Sequence, residues 1–189
     1  RSFPSITTRL ALRRFAEENL STRAMASYLL WAFDAPVNRA LFVDQSLPTK
    51  ADYLSVFSLI GLKQVLGQKL EVAFPTSYIY SDYQDSTSSL YGRGFGYSRR
   101  LDSSLKTDSE VNEETVDLVP EALDRADSII VGSVTRNQDL VHQLLDGGWG
   151  GKMILLHGED RGPSENYSYY LRRTGAQVFV RELGDRRPV

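Results

Sequence analysis

The chain has no cysteine, which excludes disulfides, thiolate catalysis and cysteine-ligated zinc and fits a reducing, cytoplasmic setting. Its only histidines are His142 and His157, too few to build a structural zinc site without thiolates, so no metal is expected. Long hydrophobic runs are missing too. The longest, Tyr28 to Phe33, falls far short of the ~20 residues that span a bilayer and has no signal-peptide context, so no transmembrane segment is expected. Neither sign of charge dominates: 22 Lys and Arg face 24 Asp and Glu, for a net charge of -2 and a pI near 5.7. Nucleic-acid binding needs a concentrated positive field, and this balance argues against it. The pairs Arg13-Arg14, Arg99-Arg100, Arg172-Arg173 and Arg186-Arg187 each have acids nearby and read as solvated faces.

Several catalytic signatures are absent as well. No Gly-x-x-x-x-Gly-Lys-Ser/Thr loop and no Gly-x-Ser-x-Gly elbow occurs, so phosphate cradling and serine hydrolysis lack their usual geometry. No Asp-x-Asp occurs, which removes the metal-binding signature of one large class of sugar-nucleotide transferases. A receiver-type phosphoacceptor domain would want an acid after the third strand and a lysine after the fifth. Ser133 and Arg181 stand there instead.

What is present is a series of short apolar runs: Ala40 to Val43 (ALFV), Leu70 to Phe74, Ser128 to Val134 (SIIVGSV), Lys152 to Leu156 (KMILL) and Ala176 to Val180 (AQVFV). Short aliphatic strands with almost no alternation are buried on both faces, as a parallel sheet covered by crossover helices requires. Helical patterns lie between them. Pro48-Thr49 with Asp52 marks the start of a helix over Ala51 to Leu66, with Leu54, Phe57, Ile60 or Gly61, and Val65 at helical spacing and Gly67 as the stop. Further helices are expected over Pro120 to Ala126, Gln138 to Leu145 and Ser164 to Thr174. The expected fold is α/β: a doubly wound, mainly parallel five-stranded Rossmann-like sheet over residues 38–189, preceded by an N-terminal helical extension over 1–37. At 189 residues and 41% hydrophobic content, the chain can bury one substantial core.

Two regions stand outside this alternation. Residues 5–34 carry a thin stripe of Leu10, Phe15 and Leu20 and a fatter one of Tyr28, Leu29, Trp31, Ala32 and Phe33, divided near Ser21 or Thr22. Such a stripe packs on the main domain or forms an interface, so a homo-oligomer through these helices is one expectation. Residues 76–118 form an irregular insertion with Tyr78, Tyr80, Tyr83, Tyr91, Tyr97 and the run Gly92-Arg93-Gly94-Phe95-Gly96. It reads either as an aromatic-packed or flexible loop, or as a loop whose backbone and Arg93 meet an anionic or sugar ligand. It does not join a strand directly to a helix, so it is no dinucleotide fingerprint.

In a doubly wound sheet, function gathers at the carboxyl ends of the strands. The polar residues there are Asp44 and Ser46, Thr76 and Ser77, Ser133, Thr135 and Arg136, and His157, Glu159 and Asp160. His157 with Glu159 and Asp160 combines an imidazole with two carboxylates and suits a general base acting on a hydroxyl. The other reading is a helix-entry loop whose acids favour the positive end of the next helix. His142 sits mid-helix on the flank expected to be wet.

SLYGRGFGYSRRLD (Ser89 to Asp102), SIIVGSV, LLHGED (Leu155 to Asp160) and VFVREL (Val178 to Leu183), taken together, resemble the amino-terminal lobe of CgeB-like glycosyltransferases, enzymes of the two-Rossmann-lobe, GT-B type. The resemblance spans residues 38–183 and leaves 1–37 without a counterpart. It implies metal-independent transfer of a sugar from a nucleotide donor to a hydroxyl on an acceptor glycan or protein. No cofactor is implied. The nucleotide-sugar would be a substrate held mainly by a second, carboxyl-terminal lobe, or by a partner chain. This chain stops where that lobe would begin, and so reads as a piece of something larger. On this picture His157, Glu159 and Asp160 are the catalytic candidates. Tyr91, Gly92, Arg93 and Gly94, together with Asp44, Ser133 and Arg136, are the acceptor-binding ones. The alternative is a non-catalytic Rossmann-like binding or assembly module that uses its N-terminal helices as the interface.

Overall fold

In the computed structural model, which describes residues 5–33, 37–158 and 174–181, each of the apolar runs is a strand: β1 (Ala40–Val43), β2 (Leu70–Val72), β3 (Ser128–Val131), β4 (Met153–His157) and β5 (Gln177–Val180). All four pairings are parallel and the order is β2-β1-β3-β4-β5. The central strands β1, β3 and β4 are buried along their whole length. Three strands are shorter than their apolar runs. Ala73, Phe74, Val134 and Ala176 lie beyond the strands and are apolar because they pack into the core on one face of the sheet.

Alternation within the strands divides the core into two layers. Ala40, Phe42, Leu70, Val72, Ile130, Ile154 and Leu156 lie on one face, and Leu41, Val43, Ile129, Val131, Met153 and Leu155 on the other. The first face is covered by α3 (Tyr53–Leu66) with α2 (Thr22–Ala32) packed against it. The second is covered by α6 (Gln138–Asp146) and the short α5 (Pro120–Leu123). His142 lies on the exposed side of α6. The stretch expected as a helix over Ser164 to Thr174 falls almost wholly outside the described residues.

The helix α3 starts at Tyr53, two residues later than the expected Ala51. Asp52 is its N-cap, and its side chain accepts a hydrogen bond from the Ser55 amide. The expected core stripe also shifts. Val56, Leu59, Ile60 and Leu62 are buried, whereas Leu54 and Phe57 are half-buried and Val65 is exposed. The cause is coverage by the sheet on one side and by α2 on another, which buries sides that a surface helix would leave wet. Gly61 makes this possible. A Cβ there would lie 2.0 Å from the Thr22 carbonyl oxygen, so the two helices meet backbone to backbone.

Through Ala26, Leu29 and Phe33, α2 joins the same core, and Ser21 is its cap, accepting from the Ala24 amide. By contrast, α1 (Ile6–Asn19) buries no residue. Ile6, Leu10, Leu12 and Phe15 are all exposed. Its local support is a Ser5 cap and the pairs Arg13–Glu17 and Arg14–Glu18. No helix among the described residues is long and apolar enough to cross a membrane.

The insertion is packed, not loose. Tyr78, Ile79, Tyr80, Tyr97 and Leu101 are part of the core. Its far end is fastened by α4 (Asp108–Val111), whose Glu110 is buried against Lys63 of α3. The Lys63 ammonium donates to Glu110 and to the carbonyls of Leu70 (2.9 Å) and Leu105 (3.2 Å), so all three of its protons are used. Glu110 in turn accepts from the Tyr80 hydroxyl (2.5 Å) and from the Thr107 amide and hydroxyl (3.0 and 2.8 Å). Burial pushes the Lys63 pKa down, and the neighbouring carboxylate pulls it back up.

Glu110→Gln leaves Lys63 buried without its counter-charge and should cost about 3–5 kcal/mol in urea unfolding. The double variant Lys63→Met with Glu110→Gln should recover most of that loss; equal destabilisation by both would contradict the pairing. Burial also raises the pKa values of Tyr78, Tyr80 and Tyr97. The neutral phenols are therefore favoured in the folded state. Their contribution to stability is complete below the unfolded value of about 10 and falls as pH rises above it. In an alkaline titration these tyrosines should ionise only in step with loss of the circular dichroism signal. Smooth ionisation of all ten tyrosines with the fold intact would be the contrary result.

Candidate functional site

The strand order creates the site. From β1 the chain moves out to β2 over one face; from β3 it moves out to β4 over the other. The loops leaving β1 and β3 therefore diverge and open a crevice at the carboxyl rim. A cleft of about 700 Å³ lies there. It is lined by Lys50, Ala51, Asp52 and Tyr53 after β1, by Ser133, Thr135 and Arg136 after β3, by Gly158 after β4, by Arg181 after β5, and by Tyr91 from the insertion.

Below the cleft, Asp44 ties its two walls together. Its side chain, 2% exposed, accepts from the Ser55 hydroxyl (2.7 Å), the Asn137 amide (3.2 Å) and the Ser46 backbone amide (3.2 Å). Asn137 works in both directions: its amide also donates to the Ser133 carbonyl (2.7 Å), while its oxygen accepts from the Gln45 amide (2.9 Å). Arg136 lies 3.7 Å from Asp44 as an ion pair and donates from the same nitrogen to the Lys50 carbonyl. Its Nε is buried and makes no hydrogen bond.

One wall is aromatic. Tyr53 stacks on Phe57, with ring centroids 5.7 Å apart, and meets Tyr91 edge-on at 5.2 Å. Tyr91 is fixed from behind because its carbonyl accepts from the buried Tyr97 hydroxyl (2.6 Å). Gly92 and Arg93 then both adopt left-handed backbone, with φ of 56° and 54°. For Arg93 this costs about 1–2 kcal/mol. At Gly92 a side chain is impossible as packed, since a Cβ would sit 2.6 Å from the Tyr53 hydroxyl.

Of the expected site residues, Tyr91, Ser133 and Arg136 line the cleft, and Asp44 lies beneath it as the brace. Gly92 and Gly94 shape the loop behind Tyr91, Gly94 with φ of 74°. Arg93 is exposed and is not among the lining residues. His157 departs furthest from expectation. It is still within the ladder, paired with Val180, so alternation turns its side chain to the face of Met153 and Leu155; it is 4% exposed and does not line the cleft. Glu159 and Asp160 lie outside the described residues. Among the described residues, no three histidines or carboxylates converge to hold a metal.

Lys50 and Tyr53 line the cleft without standing out in the sequence, and Asp52 and Arg181 stand out there for other reasons, a helix start and the place after the last strand. The signal that could have found them is position alone, because each lies within ten residues of the carboxyl end of a strand. Comparison with models of known families, with curated proteins and with solved structures gives no match.

Gly92→Ala should push the Tyr91 ring away from Tyr53 while leaving the sheet intact. The expected result is a change in the near-ultraviolet aromatic dichroism with an unchanged far-ultraviolet spectrum. An unaltered near-ultraviolet spectrum would contradict the described contact.

Proposed function

We propose that this domain is the acceptor-side lobe of a metal-independent glycosyltransferase, which moves a sugar from a nucleotide donor to an acceptor hydroxyl. The observation that supports this reading best is the cleft itself: a roomy crevice at the carboxyl rim with Tyr53 and Tyr91 on one side and Ser133, Thr135 and Arg136 on the other. A pyranose offers an apolar C–H face and a ring of hydroxyls, and a site for it needs an aromatic surface beside a few fixed polar groups.

In such a transfer the acceptor oxygen attacks the anomeric carbon, the bond from that carbon to the nucleotide diphosphate breaks, and the acceptor proton passes to a base. Asp52 is the carboxylate among the described lining residues. Cleft-lining Gly158 directly precedes Glu159 and Asp160 in the sequence. These three carboxylates are the proton acceptors of the transfer. His157 loses its place as base, because its side chain is buried on the far face. The donor would be held mainly by a second lobe.

Sugar titration monitored by amide NMR tests the reading. Simple sugars should perturb Tyr53, Tyr91 and Ser133, and Tyr91→Ala should weaken that binding up to about tenfold, the worth of one aromatic contact. A nucleotide-sugar bound more tightly than any acceptor sugar, or sugar binding indifferent to Tyr91→Ala, would refute it.

A further inference from the structure

We propose that the ligand of the rim cleft carries an acidic group, a phosphate ester or a carboxylate, beside its hydroxyls; this deepens the acceptor-lobe reading and rests on it. Among the charged described residues that line the cleft, Lys50, Arg136 and Arg181 are basic and only Asp52 is acidic. Asp52 is partly committed, since Oδ1 accepts from the Ser55 amide at 2.9 Å to cap α3.

The arrangement around Arg136 gives the charge a direction. One terminal nitrogen is held by the Lys50 carbonyl and by the 3.7 Å contact with Asp44, so the guanidinium plane is fixed before any ligand arrives. The adjacent Nε has given up water and gained no acceptor, a charged donor left unsatisfied at a real energetic cost. The terminal nitrogen on the same edge is already held by the Lys50 carbonyl, so what that edge still lacks is one oxygen of a carboxylate or phosphate. Lys50, whose exposed side chain forms no ion pair among the described residues, adds a mobile second charge. With Tyr53 and Tyr91 opposite, the pattern is a ring platform and an anion anchor across one crevice.

The same oxyanion chemistry could arrive as the diphosphate of a donor, so the test includes that arm. Binding to the full chain is measured by calorimetry for glucose, glucose 6-phosphate, glucuronate, inorganic phosphate and uridine diphosphate. At least one of the two acidic sugars should bind about tenfold more tightly than glucose and than inorganic phosphate, with the advantage shrinking as salt is raised. Lys50→Gln, which keeps the carbonyl that holds Arg136, should bring the affinity for the acidic sugars most of the way down to that for glucose. Arg136→Gln should remove the rest. If Arg136→Gln fails to fold because Asp44 loses its partner, Lys50→Gln alone decides. Glucose binding as tightly as both acidic sugars would overturn the acidic-ligand proposal and leave the acceptor-lobe reading standing. Uridine diphosphate binding more tightly than either acidic sugar would assign the cations to a donor and overturn both, as would the absence of any binding in the cleft.

Discussion

A single buried carboxylate holds the working end of this domain in shape. The loops after β1 and β3 must part to reach opposite faces of the sheet, and parting loops leave backbone groups without the ladder that would otherwise satisfy them. Asp44 answers this at the point of divergence: it takes hydrogen bonds from Ser55 on the first turn of α3 and from Asn137 at the head of α6, and stands 3.7 Å from Arg136. The crevice is therefore a braced gap. Because the brace lies below the cleft floor, Ser133, Thr135 and Arg136 are presented from a fixed backbone, and little order has to be imposed on them when a ligand arrives.

The insertion is governed by a comparable buried charge. A connection of this length gains stability only if its ends are tied into the core, and Lys63 with Glu110 does the tying between α3, β2 and α4. Between that staple and the sheet, Tyr78, Tyr80 and Tyr97 fill the space, with Tyr97 touching Tyr53, Phe57 and Tyr78 edge-on. The outcome bears on function. The loop that carries Tyr91 to the cleft is backed by packed rings and a hydrogen bond from Tyr97, so the aromatic wall is part of the core's own architecture.

The sheet was legible because its strands are short aliphatic runs separated by helical patterns, and a parallel sheet is the arrangement that buries both faces of such runs. Strand ends were less so, because Val134 and Phe74 are apolar for packing into the core outside the ladder. Lys63 and Glu110 were hidden in principle: a lysine in a helix and a glutamate in an acidic run look solvated until the fold brings them together. In the site, Tyr91, Ser133 and Arg136 followed from the Gly-rich loop and the strand-end rule. His157 was misread because the strand keeps its ladder through that residue, and one further position would have put the side chain at the rim. Lys50 and Tyr53 carried no motif, and only the divergence of the loops gives them a role.

The working end is a crevice opened by strand order, braced by Asp44, walled by tyrosine and edged with basic groups. A crystal structure of the protein soaked with glucose 6-phosphate tests it most directly. The account predicts the sugar ring against Tyr53 and Tyr91 with its phosphate on Arg136 and Lys50. A ligand seated anywhere other than the cleft between the β1 and β3 loops, such as on the exposed face of α1, would contradict it.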